Sequence, residues 1–165
     1  MGKDKYRRFQ ENLTFANMVQ PDFEEVFGKE YRLKGHWHDE FFRNPNPIIL
    51  ELGCGRGEYT VALAERNPDR NYIGIDIKGA RMWRGAKTAT ERGMANAAFL
   101  RTRIEFINSF FASCAINAIF IQRSSSLAFY VPRHWPHGAK HLSYPNNIYR
   151  TKSGTSSPHK RAAIA

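Results

Sequence analysis

The stretch Ile48–Thr60, IILELGCGRGEYT, places three glycines, Gly53, Gly55 and Gly57, within five positions directly behind an apolar run. Glycine weakens both strands and helices, so a turn that only reversed the chain would need one of them. Three imply that something approaches the backbone closely here. The run before them, Ile48–Leu52, reads as a buried strand. The residues after them, Glu58–Arg66, carry Tyr59, Ala62 and Leu63 at helical spacing, with Pro68 beyond the end. Amides at the start of such a helix can hold a negatively charged group.

The same alternation continues along the chain. Asn71–Asp76 is a second apolar strand, 80–92 a second helix with Gly93 as its C-terminal cap, and Ala97–Arg101 a third strand. Residues 104–112 read as a helical turn and 115–122 as a fourth strand. Strands and helices joined by short connections predict an α/β fold, a parallel sheet with helices on its faces. In such sheets the ligand crevice lies outside the C-terminal ends of the strands, where the glycines fall. The chain divides into three parts: a basic and aromatic N-terminal segment (1–47) with a short helix near 22–27, a ligand-binding domain (48–122), and a tail (123–165) rich in Ser, Pro, His and Asn. The tail has no sustained period and is expected to be disordered.

The 165 residues suffice for one domain with a core. The formal net charge of +10 suits a partner bearing phosphates. Its distribution is uneven: residues 1–105 hold all 15 carboxylates and 18 of the 25 Lys and Arg, whereas 106–165 hold seven Lys and Arg and no Asp or Glu. Cys54 and Cys114 form neither a disulfide framework nor a CxxC metal pair, so a reduced, cytoplasmic setting is the default and no metal site is expected. No apolar run approaches the ~20 residues of a membrane span. Nothing in the sequence sets an oligomeric state.

Asp76 closes the second strand, where a carboxylate accepts hydrogen bonds from both hydroxyls of a ribose. The pocket therefore expects a ligand bearing a nucleoside. A dinucleotide fingerprint would require Gly or Ala where Glu58 stands, and Glu58 would repel a pyrophosphate. A purely structural glycine turn, with Asp76 there by chance, is the remaining alternative. The pattern Glu51-x-Gly53-x-Gly55-x-Gly57 resembles the first motif of S-adenosyl-L-methionine-dependent methyltransferases. Their ligand carries an ammonium and a sulfonium, which suits a carboxylate at Glu51.

The resemblance extends further. LKGHWHDEFF (33–42) and NPIILELGCGRGEYTVALAERNPDRNYIGIDIKGARMWRGAKTATERG (46–93) are similar to the bacterial tRNA (guanine-N7)-methyltransferases, with similarity over roughly residues 1–112. It implies a Rossmann-like class I methyltransferase fold, S-adenosyl-L-methionine as cofactor, tRNA as partner and 7-methylguanosine in the variable loop as product. By position it implies Glu51 near the methionine end of the donor and Asp76 at the ribose, with Gly53, Gly55 and Gly57 in the loop between. The family's third donor contact, an acid after the third strand, falls near Arg103, where only a backbone contact would survive. Lys34, Trp37 and Arg43, with His36 and His38, are candidates for RNA contact; for each His and Trp, local packing or a solvated face is the alternative. Lys78, Arg81 and Arg84 read equally as a solvated helix face or an RNA track.

The pattern breaks after the fourth strand. The family carries a Phe-Pro-Asp-Pro-like motif there, whose acid is expected beside the target guanine. This chain has Arg123-Ser124-Ser125-Ser126, so no residue is assigned as catalytic. The expectation is a partial sheet of about four strands, with an out-of-frame or otherwise aberrant end joined to a methyltransferase half. The alternative is a genuine basic tail in which Phe129, Tyr130, Trp135, Tyr144 and Tyr149 stack on RNA. A non-catalytic remnant that binds the donor or RNA is the rival to an active enzyme, and a small-molecule methyltransferase is a third reading.

Overall fold

β2 (Ile48–Leu52) and β3 (Asn71–Asp76) form the middle of the sheet in the computed structural model, which describes residues 3–112, 116–123 and 126–130. Around them the chain adds α1 (Lys3–Asn12), β1 (Met18–Val19), α2 (Phe23–Val26), a wide π-type turn (Trp37–Phe42), α3 (Glu58–Arg66) and α4 (Gly79–Glu91). These are followed by β4 (Ala97–Arg101), a tight 3₁₀ turn (Ile104–Phe106), α5 (Ile107–Phe110), β5 (Ala118–Arg123) and β6 (Ser126–Tyr130). The strand order is β1-β4-β3-β2-β5-β6. The first five strands run parallel, and β6 pairs antiparallel with β5.

Residue alternation along each strand divides the core between the two faces of the sheet. Ile49, Tyr72 and Phe99 pack with Val61, Ala64, Met82, Ala86 and Ala89 of α3 and α4. Ile48, Leu50, Ile73, Ile75 and Leu100 pack with Val26, Leu33, Trp37, Phe42, Phe110 and Phe111 on the opposite face. β2 is buried along its whole length, as a central parallel strand covered on both faces must be.

The strands at 48–52, 71–76 and 97–101 and the helix at 58–66 lie where the sequence pattern puts them, and the fourth strand begins three residues later than expected. The sheet is larger than four strands, because β1 joins the β4 edge and β6 covers the β5 edge. The N-terminal segment also holds a helix the pattern did not reveal. α1 docks on α4 through polar groups: Asn12 Nδ2 donates to Gly79 O at 2.9 Å, and Trp83 Nε1 donates to Glu11 Oε2 at 2.5 Å. Just beyond α1, Asn17 Nδ2 donates to Ala86 O at 3.0 Å. Among the described residues no helix is long and apolar enough to cross a membrane. Of the tail expected to be disordered (123–165), Ser126–Tyr130 form β6, and the part from 131 onward, with Trp135, Tyr144 and Tyr149, lies outside the described residues.

Candidate donor-binding cleft

The strand order places β2 at the point where the chain stops adding strands on one side and later adds β5 on the other. A crevice opens at such a switch. A cleft of about 390 Å³ lies there, lined by Gly53, Cys54, Gly55, Arg56, Glu58, Tyr59, Asp76 and Arg81.

The glycine loop crosses the strand ends under tight backbone control. The amides of Gly53 and Cys54 both donate to Ile75 O, at 2.8 and 3.0 Å, tying the loop to the end of β3. Gly53 sits at φ +77°, and a Cβ built on it would meet no protein atom within 4 Å. Gly53 thus supplies a left-handed conformation and bare backbone facing open space. Gly57, also at positive φ, has another use. It is buried, and a Cβ there would lie 3.0 Å from Phe99 Cζ and 3.3 Å from Gly85 Cα, so it allows α3 to close onto β4 and α4.

Asp76 is the polar centre of the cleft. Its Oδ2 accepts from Gly55 N–H at 2.9 Å and its Oδ1 from Lys78 N–H at 2.8 Å. Two amides from different loops therefore fix the carboxylate plane, while each oxygen keeps further lone pairs. The arrangement can accept two neighbouring hydroxyls. Thr102 N–H donates to Asp76 O at 3.2 Å, bringing the end of β4 alongside.

Glu51 lies behind the cleft wall and is 1% exposed. Thr60 Oγ1 donates to its Oε2, while Oε1 is buried with no hydrogen-bond partner among the described residues. Burial raises its carboxyl from 4.5 to about 7; the Thr60 hydrogen bonds oppose the rise and the nearby Asp76 charge adds to it. A half-satisfied buried carboxylate beside a cleft favours a cation in that cleft. Cys54 lines the same wall, and its thiol is pushed well up by burial and by the Glu51 and Asp76 charges, so it stays a neutral packing group. Glycine at 74 makes this layer possible, since a Cβ there would sit 2.6 Å from Thr60 Oγ1.

The other sequence candidates divide. Arg103 is exposed, and its guanidinium pairs with Glu105 at 3.1 Å instead of lining the cleft. Trp37 is 1% exposed, which removes it as a stacking platform for RNA. Its indole N–H donates to Phe110 O at 2.9 Å and its ring stacks on Phe111, so the packing alternative holds. Lys34 pairs with Glu30 at 2.6 Å. His38 contacts Asn46 O at 3.1 Å through Nε2. Arg43 is exposed and lines a shallow hollow with His38, Asp39, Asn44 and Pro45. Thr60 and Arg56 were not singled out from the sequence, and Arg81, read there as a solvated helix face or an RNA track, lines the cleft. Only the spacing of Thr60 from the glycines, on the inward face of the following helix, could have signalled it.

Residues 45–125 match the family model described as putative methyltransferase. Among curated proteins, the tRNA (guanine-N(7)-)-methyltransferase of Christiangramia forsetii is 58% identical over 119 residues, 72% of this chain and 53% of that protein. The protein of the same name from Bacteroides fragilis is 49% identical over 121 residues, 73% of this chain and 48% of that one. Among solved structures, a 30S ribosomal A1408 methyltransferase from an uncultured bacterium superposes at a TM-score of 0.43 and 18% identity, over 52% of this chain and 42% of that one. The chain spans about half the length of the curated relatives it matches. Within that span, it belongs to the bacterial tRNA (guanine-N7)-methyltransferase family.

Proposed function

We propose that this chain carries the donor half of an enzyme that transfers a methyl group from S-adenosyl-L-methionine to N7 of guanine in tRNA. The observation that carries the reading is Asp76, fixed by the Gly55 and Lys78 amides beside a bare glycine loop, in a chain 58% identical to a relative of that name. The residues fit the donor. Asp76 would accept the ribose hydroxyls, the Gly53–Gly55 backbone would lie along the ligand, and Glu51 would face its positive end from behind Cys54. Bound there, the donor supplies a sulfonium-activated methyl group.

The chain's own part in the chemistry is modest. Guanine N7 presents an in-plane lone pair at neutral pH, so no general base is needed. Orientation and the exclusion of water are what the protein must add. Incubation with labelled donor and unmodified tRNA, followed by nucleoside analysis, tests the reading. It predicts 7-methylguanosine.

One observation favours a second reading, a fragment that binds the donor or RNA without catalysis. At the end of β5, next to where the family's acid is expected, Arg123 stands in register with Ser126 of the antiparallel β6. Donor binding with no 7-methylguanosine would support that reading.

A further inference from the structure

A second pocket, about 350 Å³, adjoins the cleft and is lined by Arg8, Arg56, Glu58, Arg81, Trp83 and Arg84. It brings together three elements distant in sequence: α1, the loop after Gly55, and the first two turns of α4. Four guanidinium groups face one carboxylate. Among the described residues none of the four makes an ion pair, although the neighbouring Arg7 and Lys87 both pair with Glu11. Arg8 is held by the ring of Trp83, with its guanidinium carbon 5.0 Å from the ring centroid. Its Nε is shielded from solvent and has no hydrogen-bond partner among the described residues. Four like charges gathered around a single carboxylate repel one another, and an unpaired buried donor is unfavourable. Both are relieved by an anion with several acceptor oxygens, and the arginine fork matches a phosphate.

We propose that this pocket seats a phosphate group of an RNA strand, so that the RNA path runs over the α1–α4 face. That the phosphate belongs to RNA rests on the function proposed above. The position fits that role, because Arg56, Glu58 and Arg81 line both this pocket and the donor cleft, so a strand anchored here passes the cleft mouth. Phosphate contacts of this kind fix register without reading sequence. This face replaces the buried Trp37 and the paired Lys34 as the main RNA-contacting surface.

The test uses the full chain with Arg8→Gln and Arg84→Gln, neither of which lines the donor cleft. Arg84 is exposed on α4, so its variant remains informative even if Arg8→Gln loosens α1. Binding of an unmodified tRNA transcript is measured across a salt series, S-adenosylhomocysteine binding by calorimetry, and inorganic phosphate is added as competitor. Each variant is expected to bind tRNA roughly tenfold more weakly, with the slope of log affinity against log salt reduced by about 1. S-adenosylhomocysteine binding stays unchanged, and phosphate competes with tRNA less well than in the parent chain. Unchanged tRNA affinity and slope in Arg84→Gln would overturn the proposal and leave the proposed function standing. Weakened S-adenosylhomocysteine binding in both variants would overturn it by assigning the pocket to the donor. Binding of inorganic phosphate but of no tRNA by the parent chain would overturn the RNA assignment together with the tRNA reading.

Discussion

Glu51 is destabilising and useful at once. Its carboxyl is raised from 4.5 to about 7, so folding favours its protonated form. The stability it contributes is complete below about pH 4.5 and lost as the pH rises through about 7. Glu51→Gln keeps an acceptor for Thr60 and removes the titration. In urea unfolding the variant should match the parent near pH 4.5 and exceed it by about 3 kcal/mol above pH 8. Under the proposed function the same change should weaken donor binding, since Glu51 would no longer offer a carboxylate to the positive end of the ligand. Trp37 gives the opposite kind of prediction. Trp37→Phe loses the hydrogen bond to Phe110 O and part of the stacked core, and should lower stability by about 1–3 kcal/mol. Its tRNA affinity per folded molecule should be unchanged, which filter binding on the refolded variant would check.

At the scale of elements, the approach of α3 and α4 to the sheet depends on glycines. A Cβ on Gly85 would lie 2.7 Å from Phe99 Cζ and 2.8 Å from Arg56 O. Gly85→Ala must therefore push α4 off β4 and disturb the loop that ends in Arg56. We expect a loss of about 1–3 kcal/mol and weaker donor binding, read from thermal melts and calorimetry. Gly74→Ala acts elsewhere, displacing Thr60 from Glu51, and should raise the carboxyl further. The central elements were legible in the sequence because Ile48–Leu52, Asn71–Asp76 and Ala97–Arg101 are continuous apolar runs punctuated by glycine, proline and polar turns. α1 was not, because Asn12 and the Trp83–Glu11 pair dock it rather than an apolar stripe, and hydrophobic periodicity is blind to such contacts. β1 has two residues, too few for any period, and is recruited only because Met18 and Val19 lie beside Phe99 and Leu100. In the site, Asp76 and the loop glycines were legible from spacing. The arginine pocket was not, since its members come together only when α1 packs on α4.

For the whole molecule, charge sets the behaviour. The net charge of +10 and the unpaired arginines on the α1–α4 face predict tRNA binding dominated by phosphate contacts. Affinity should fall at least tenfold between about 50 and 200 mM salt, and a flat salt dependence would count against it. The β5 edge of the sheet is covered by the antiparallel β6. The chain matches about half of its relatives' length, and that half carries the residues that line the candidate cleft, from Gly53 to Arg81. Whether this wall binds the methyl donor is decided by calorimetry with S-adenosylhomocysteine on the parent chain and on Asp76→Ala. Saturable binding to the parent and at least a tenfold loss in Asp76→Ala, with the fold retained, are expected. No binding to the folded parent chain, or equal binding to both, would contradict donor binding there.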